Sequence, residues 1–137
     1  MAVLLAIQFV RMPRTNPAAT REVRWDTPAT RALASRACFD CHSNGTVWPW
    51  YSHVAPASWL VINHVNSGRR HLDFSEWDRP QHATFTDVED NVTSGEMPIW
   101  NYVIVHPRAK LTPAERQQLL DGLRATLLND PPIARRR

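Results

Sequence analysis

Apolar positions recur at three- and four-residue spacing in four separate stretches of the chain, and nowhere do they alternate with polar ones for long. The first stretch opens at Thr27-Pro28, a capping hydroxyl followed by proline at the first helical position. Leu33, Ala34, Ala37, Cys38 and Cys41 then mark one helical face, and Ser43-Asn44-Gly45 stops the helix. The proline in Trp48-Pro49-Trp50-Tyr51 makes that segment an aromatic loop. A second helix is predicted from Pro56 through Trp59, Leu60, Ile62, Asn63 and Val65 to a closing Gly68. A third covers Thr84 to Ser94 and closes at Gly95. The last starts at the capping box Thr112-Pro113-Ala114-Glu115, buries Leu119, Leu120, Leu123 and Leu127, and ends at Pro131-Pro132. The pattern predicts a mostly α domain in which strands are not required.

A length of 137 residues with 43% hydrophobic and 21% charged positions suits one domain with its own core. It excludes a disordered tail, a collagen-like fibre and a multi-span membrane protein. The net charge of +3 is confined to the ends, because residues 1–25 carry four arginines against Glu22 and Arg135, Arg136 and Arg137 follow at the other end. The body from Asp26 to Ala134 is left at −3, which gives no clustered basic face for nucleic acid. The apolar run at residues 2–10 is too short to span a bilayer, which takes about 20 residues. No basic region precedes it, so it reads as the trailing half of a signal anchor whose natural start lies upstream. Against a simple anchor, its arginine-rich flank is one that the positive-inside rule keeps cytoplasmic. The expected division is residues 1–15 as a remnant of an anchor or membrane tail, 16–130 as the folded domain and 131–137 as a basic tail.

Both cysteines fall in Cys38-Phe39-Asp40-Cys41-His42, a C-x-x-C-H sequence, which is the attachment pattern of c-type haem. On a helix, positions i and i+3 share a face, so two sulfurs reach two vinyl edges of one porphyrin while His42 turns onto the iron. A thioredoxin-like reading lacks its βαβ setting, and a zinc site has only two cysteines and must recruit histidines. A disulfide across two residues staples almost nothing.

The sixth iron position has Met97 as its first candidate, in the proline-stiffened loop Gly95-Glu96-Met97-Pro98. His53 and His64 are the alternatives, while His71, His82 and His106 read as surface or loop residues. Arg69-Arg70 after Gly68 suit the anionic propionates, and equally suit a solvated helix end. Six tryptophans, Trp25, Trp48, Trp50, Trp59, Trp77 and Trp100, suit the wall of a flat pocket as a group and the core individually.

The combined pattern resembles the small single-haem c-type haem-binding domain family, distant relatives of cytochrome c. The matching residues are Asn16-Pro17, Cys38 to Asn44, Trp48-Pro49-Trp50-Tyr51-Ser52, Ala55 to Leu60, Gly68-Arg69-Arg70 and Leu72 to Trp77. They continue through Gly95-Glu96-Met97-Pro98, Tyr102, His106-Pro107 and Leu111-Thr112. The last helix departs with Leu123 where the family often has tryptophan. The resemblance implies a helical extracytoplasmic domain behind an N-terminal anchor, with one covalent haem c carried by Cys38, Cys41 and His42.

The expected protein is therefore a periplasmic or extracytoplasmic electron carrier with His42/Met97 ligation and Arg69, Arg70 and Trp59 as further cofactor contacts, and it turns nothing over. Its expected partners are redox proteins, a membrane reached through the N-terminus and a larger respiratory or photosynthetic complex, with no nucleic acid. The alternatives are a small-ligand sensor and a peroxidase-like module, both with an open sixth position.

Overall fold

The computed structural model describes residues 1–134; Arg135, Arg136 and Arg137 of the expected basic tail lie outside the described residues. The chain is mostly helical. In order it forms α1 (Ala2–Ala6), α2 (Pro28–Ala37), α3 (Phe39–His42), α4 (Ala57–His71), α5 (Phe85–Ser94), α6 (Trp100–Val105) and α7 (Pro113–Asn129). Two short strands, β1 (Pro80–Gln81) and β2 (Ile133–Ala134), pair in parallel. With two residues each, they are too short to leave an alternating pattern in the sequence.

The caps read from the sequence at Thr27 and Thr112 are formed: Thr27 accepts from Thr30 N ahead of α2, and Thr112 forms a capping box with Glu115. Thr84, expected as the first residue of the third helix, is instead its cap, in a second capping box with Asp87. Gly95 closes α5 at φ 83°, in the left-handed region that glycine enters without a steric penalty.

Two helix readings are corrected. The apolar stripe through Cys41 is not one helix, because the backbone breaks at Cys38 (φ −124°, ψ −34°) and α3 restarts at Phe39. Cys38 N still donates to Ala34 O at 2.8 Å, while Cys38 O accepts from Cys41 N and His42 N. Gly68 does not stop the second helix either, since α4 runs on to His71. A Cβ at Gly68 would lie 2.3 Å from Cys41 O, so glycine is needed here for the close approach of α4 to α3. The loop Trp48–Tyr51 passes into a 3-10 turn at Trp50–His53, and α6 forms without a capping side chain, which is why nothing in the sequence announced it.

The core joins Val23, Leu33, Ala34, Ala37, Leu72, Phe74, Trp77, Leu111, Leu119 and Leu123. Gly122 lets α7 lie against Thr30 of α2, where a Cβ would meet the threonine Oγ1 at 2.1 Å. Trp77 is completely buried and donates from Nε1 to Asp130 O at 3.0 Å. Trp50 and Trp100 are not core: they are 78% and 73% exposed.

The N-terminal segment docks on the domain. Gln8 bonds both N and O of Ala55, Arg14 donates to Ser52 O, and Trp59 Nε1 donates to Val10 O. Val3, Leu4, Leu5 and Phe9 remain exposed. Among the described residues no helix is long and apolar enough to cross a membrane.

Candidate functional site

The break at Cys38 and the tight seat of α3 on α4 turn Cys38, Cys41 and His42 toward a single cavity of about 580 Å³. That volume falls within the roughly 300–1,000 Å³ of small-molecule and cofactor sites. Leu72, Phe74, Val88, Val92, Leu119 and Leu123 give it an apolar wall.

Both cysteines are free and half-buried. Burial, reinforced by the neighbouring Cys41 sulfur, pushes the Cys38 thiol up to about 12. Burial and the Asp40 carboxylate push Cys41 up to about 11, against the pull of Arg69. Thiols held neutral are unlike the low-pKa thiolates of redox-active C-x-x-C pairs. Among the described residues no group of three or more His, Cys, Asp or Glu side chains is arranged to hold a metal ion.

His42 Nδ1 lies 2.9 Å from Leu72 O. Burial lowers the pKa of the ring, with the Leu72 and Gly68 carbonyls pulling the other way, so the imidazole is held toward its neutral form. The Nδ1 proton donates to Leu72 O, and Nε2 keeps its lone pair, which is how a protein prepares a histidine as a metal ligand. The residues present fit a haem: a large apolar cavity, two adjacent neutral thiols and an oriented imidazole.

Met97 lines the same cavity from the far end of α5, 38% exposed. Its backbone N donates to Asn91 O at 2.9 Å, which folds the segment after Gly95 back over the cavity. Cys38, Cys41, His42 and Met97 are thus brought together.

Arg69, Arg70 and Trp59 are not. Arg69 is turned away from the cavity, its guanidinium bonding Ser43 O, Thr15 O, Asn16 Oδ1 and Thr46 Oγ1 at 2.8–3.0 Å. It ties the N-terminal segment to the turn after α3. Arg70 is exposed and outside the cavity lining. Trp59 lines neither cavity, because its indole packs toward Val10, and no tryptophan forms the expected wall.

Three histidines expected at the surface or in loops also line cavities. His71 and His82 border the main one, together with His64, and His106 borders an adjoining cavity of about 210 Å³. A usable signal was present: His64, Gly68 and His71 recur at i, i+4 and i+7, so the face of α4 that meets α3 also carries both histidines. Tyr102 was also missed as part of this site. Its Oη donates to Asp40 Oδ2 at 2.7 Å, and its ring stacks on His106 at 4.3 Å. Burial first, and then the Asp40 carboxylate, push the Tyr102 phenol well above its ordinary value.

A family model described as a haem-binding domain matches residues 2–125. The chain belongs to the haem-binding domain family. No curated protein and no solved structure matches it. For a haem-binding domain, the cavity that gathers the C-x-x-C-H segment and Met97 is the natural candidate for the haem site.

Proposed function

We propose that this haem-binding domain is a monohaem c-type cytochrome that carries single electrons outside the cytoplasm. The observation that carries the reading is the convergence of Cys38, Cys41, His42 and Met97 on one cavity. Cys38 and Cys41 would hold the haem through thioethers, and His42 Nε2 and the Met97 sulfur would be its protein ligands to iron. A bound haem c supplies a one-electron iron centre whose potential rises with a thioether ligand and a dry pocket. The chain's own part is to orient His42 through Leu72 O, to hold the Met97 segment through Asn91 O and to exclude water with the aliphatic wall.

With His42 and Met97 both engaged by the iron, the protein would be a carrier and not an enzyme. It meets redox protein partners, and its mildly acidic body steers that docking in a salt-dependent way. The exposed Val3, Leu4, Leu5 and Phe9 support attachment to a membrane through the N-terminus.

The test is export of the chain with c-type haem maturation machinery, followed by denaturation and spectroscopy. Haem is expected to stay on the denatured chain, and to be lost from it in Cys38→Ala/Cys41→Ala. The ferric protein is expected to show a methionine-to-iron band that vanishes in Met97→Ala. Haem that extracts completely from the wild type overturns covalent attachment, and a spectrum indifferent to Met97→Ala overturns the ligation.

His64 favours a second reading, because it also lines the cavity and supplies an acid/base group for a sensor or peroxidase-like site with an open sixth position. Carbon monoxide separates the two: rapid, complete binding to the reduced protein favours the open site, and resistance favours the carrier.

A further inference from the structure

From Thr93 to Arg108 no residue is buried, although the core holds the chain on either side, at Val92 before this stretch and at Ala109 and Leu111 after it. Apolar packing contributes less here than in the core, so the place of the stretch depends more on directed bonds. It nevertheless lines the main cavity through Met97, Pro98, Ile99 and Tyr102. Helix α6, which begins soon after Met97, has no side-chain cap and leaves Trp100 and Ile104 exposed. What reaches from it to the cysteine segment is the Tyr102 hydroxyl, which donates to Asp40 Oδ2 at 2.7 Å. Asp40 lies between Cys38 and Cys41 and is itself held: Oδ1 accepts from Val47 N at 2.9 Å, and the backbone O accepts from Thr46 Oγ1 at 2.8 Å. At the far end of α6, Tyr51 Oη and His106 Nε2 are hydrogen-bonded at 2.7 Å, and the His106 ring stacks on Tyr102.

We propose that the Asp40–Tyr102 bond is a latch that keeps Met97 at the sixth iron position, so that a residue between the two cysteines sets how firmly the site is closed. Tyr102 is a positioning residue, because it acts on the iron only through Met97. The methionine sits between two fixed points. Upstream, its own N–H is given to Asn91 O at 2.9 Å. Downstream, the ring of Pro98 restricts the backbone, and Tyr102 N and Val103 N both donate to Ile99 O at 3.1 Å, so a movement of Tyr102 is passed to the loop. The acceptor of the latch is a carboxylate, which makes it stronger than a bond between neutral groups. While it is closed, the Met97 segment is fixed relative to the helical turn that carries His42. When it is broken, the loop keeps its tie to Asn91 O but loses the one to the cysteine segment, and an outside ligand can take the methionine's place. The latch thus biases one cavity between a closed carrier and an open site.

The latch rests on His42/Met97 ligation, and its test tells the two apart. The matured ferric holoprotein is titrated with imidazole, an outside ligand that displaces a weakly held methionine, while the methionine-to-iron band is followed. Tyr102→Phe is expected to bind imidazole about tenfold more tightly than the wild type, with its haem still attached. Asp40→Ala is expected to do at least as much, and Tyr102→Phe to add nothing in the Asp40→Ala background, because both changes break the same bond. Thr27→Ala removes the α2 cap at a comparable cost in stability and is expected to leave imidazole affinity unchanged. A wild type without the band overturns the ligation and the latch with it. A wild type that shows the band, with imidazole affinity indifferent to Tyr102→Phe, moved equally by Thr27→Ala or additive in the double variant, overturns the latch and leaves the ligation intact. Loss of the haem itself from Tyr102→Phe also overturns the latch, since the bond would then serve the cysteine turn instead of Met97.

Discussion

Replacing Gly68 with alanine places one methyl group where α4 touches α3. The new Cβ would lie 2.3 Å from Cys41 O, 2.9 Å from Cys41 C and 3.1 Å from Cys41 Cβ. Two of these are backbone atoms, so no rotamer change relieves the clash, and α3 has to retreat by roughly 1 Å to reach van der Waals contact. Overpacking of this kind costs about 1–3 kcal/mol. Alanine returns about 0.5–1 kcal/mol in a helix interior through the lower entropy of the unfolded chain. The balance is a net loss of up to about 2.5 kcal/mol, about 1.25 kcal/mol at mid-range, and at roughly 3 °C per kcal/mol for a chain of this size Tm falls by about 4 °C at mid-range and by about 7 °C at most. The retreat also carries Cys41 and His42 away from Leu72 O, which accepts from His42 Nδ1. Thermal unfolding of the apoprotein reads the first effect, and haem retained per chain after maturation reads the second. Gly45→Ala is the control, because its Cβ meets only Ser43 Oγ at 3.4 Å. A Gly68→Ala protein as stable as Gly45→Ala, with full haem uptake, would refute the close approach of the two helices as the device that positions the site.

Arg69→Ala is expected to destabilise the fold by about 2–4 kcal/mol by leaving several oxygens without their charged donor, and limited proteolysis should then cut earlier before Asn16; Arg69→Lys should not restore it, because a lysine lacks the planar fork. Tyr102→Phe removes the bond to Asp40 and is expected to cost about 1–2 kcal/mol in denaturant unfolding. Asp130 is buried, which by itself raises its pKa, but the Arg24 backbone N–H and the Arg21 guanidinium outweigh burial and hold it below the ordinary carboxylate range. A carboxylate depressed on folding stabilises above its unfolded value of about 3.9 and loses that contribution as pH falls through its folded value. Urea midpoints measured on descending from pH 6 are therefore expected to drop below about pH 4, and to drop less steeply in Asp130→Asn.

The sequence by itself determined what neighbouring residues settle among themselves. Thr27, Thr84 and Thr112 cap their helices because a cap needs only a hydroxyl and an amide a few positions on, and the C-x-x-C-H spacing on which the proposed haem attachment rests is equally local. A proline in a loop singled out Met97, but that it lines the same cavity as His42 depends on α5 lying along that cavity. Tertiary structure decided what depends on who arrives from elsewhere in the chain. Gly68 looks like a helix stop until Cys41 is seen against it, and Arg69 looks like a propionate ligand until Ser43, Thr15, Asn16 and Thr46 have taken its donors. His71 and His82 are surface residues, as the sequence suggests, and only the bond of the β1 exit to the end of α4 brings both to one cavity. Glycine, arginine and histidine carry several chemical uses each, and only packing selects among them, because a close contact or a hydrogen bond commits a group to one partner and withdraws it from the rest.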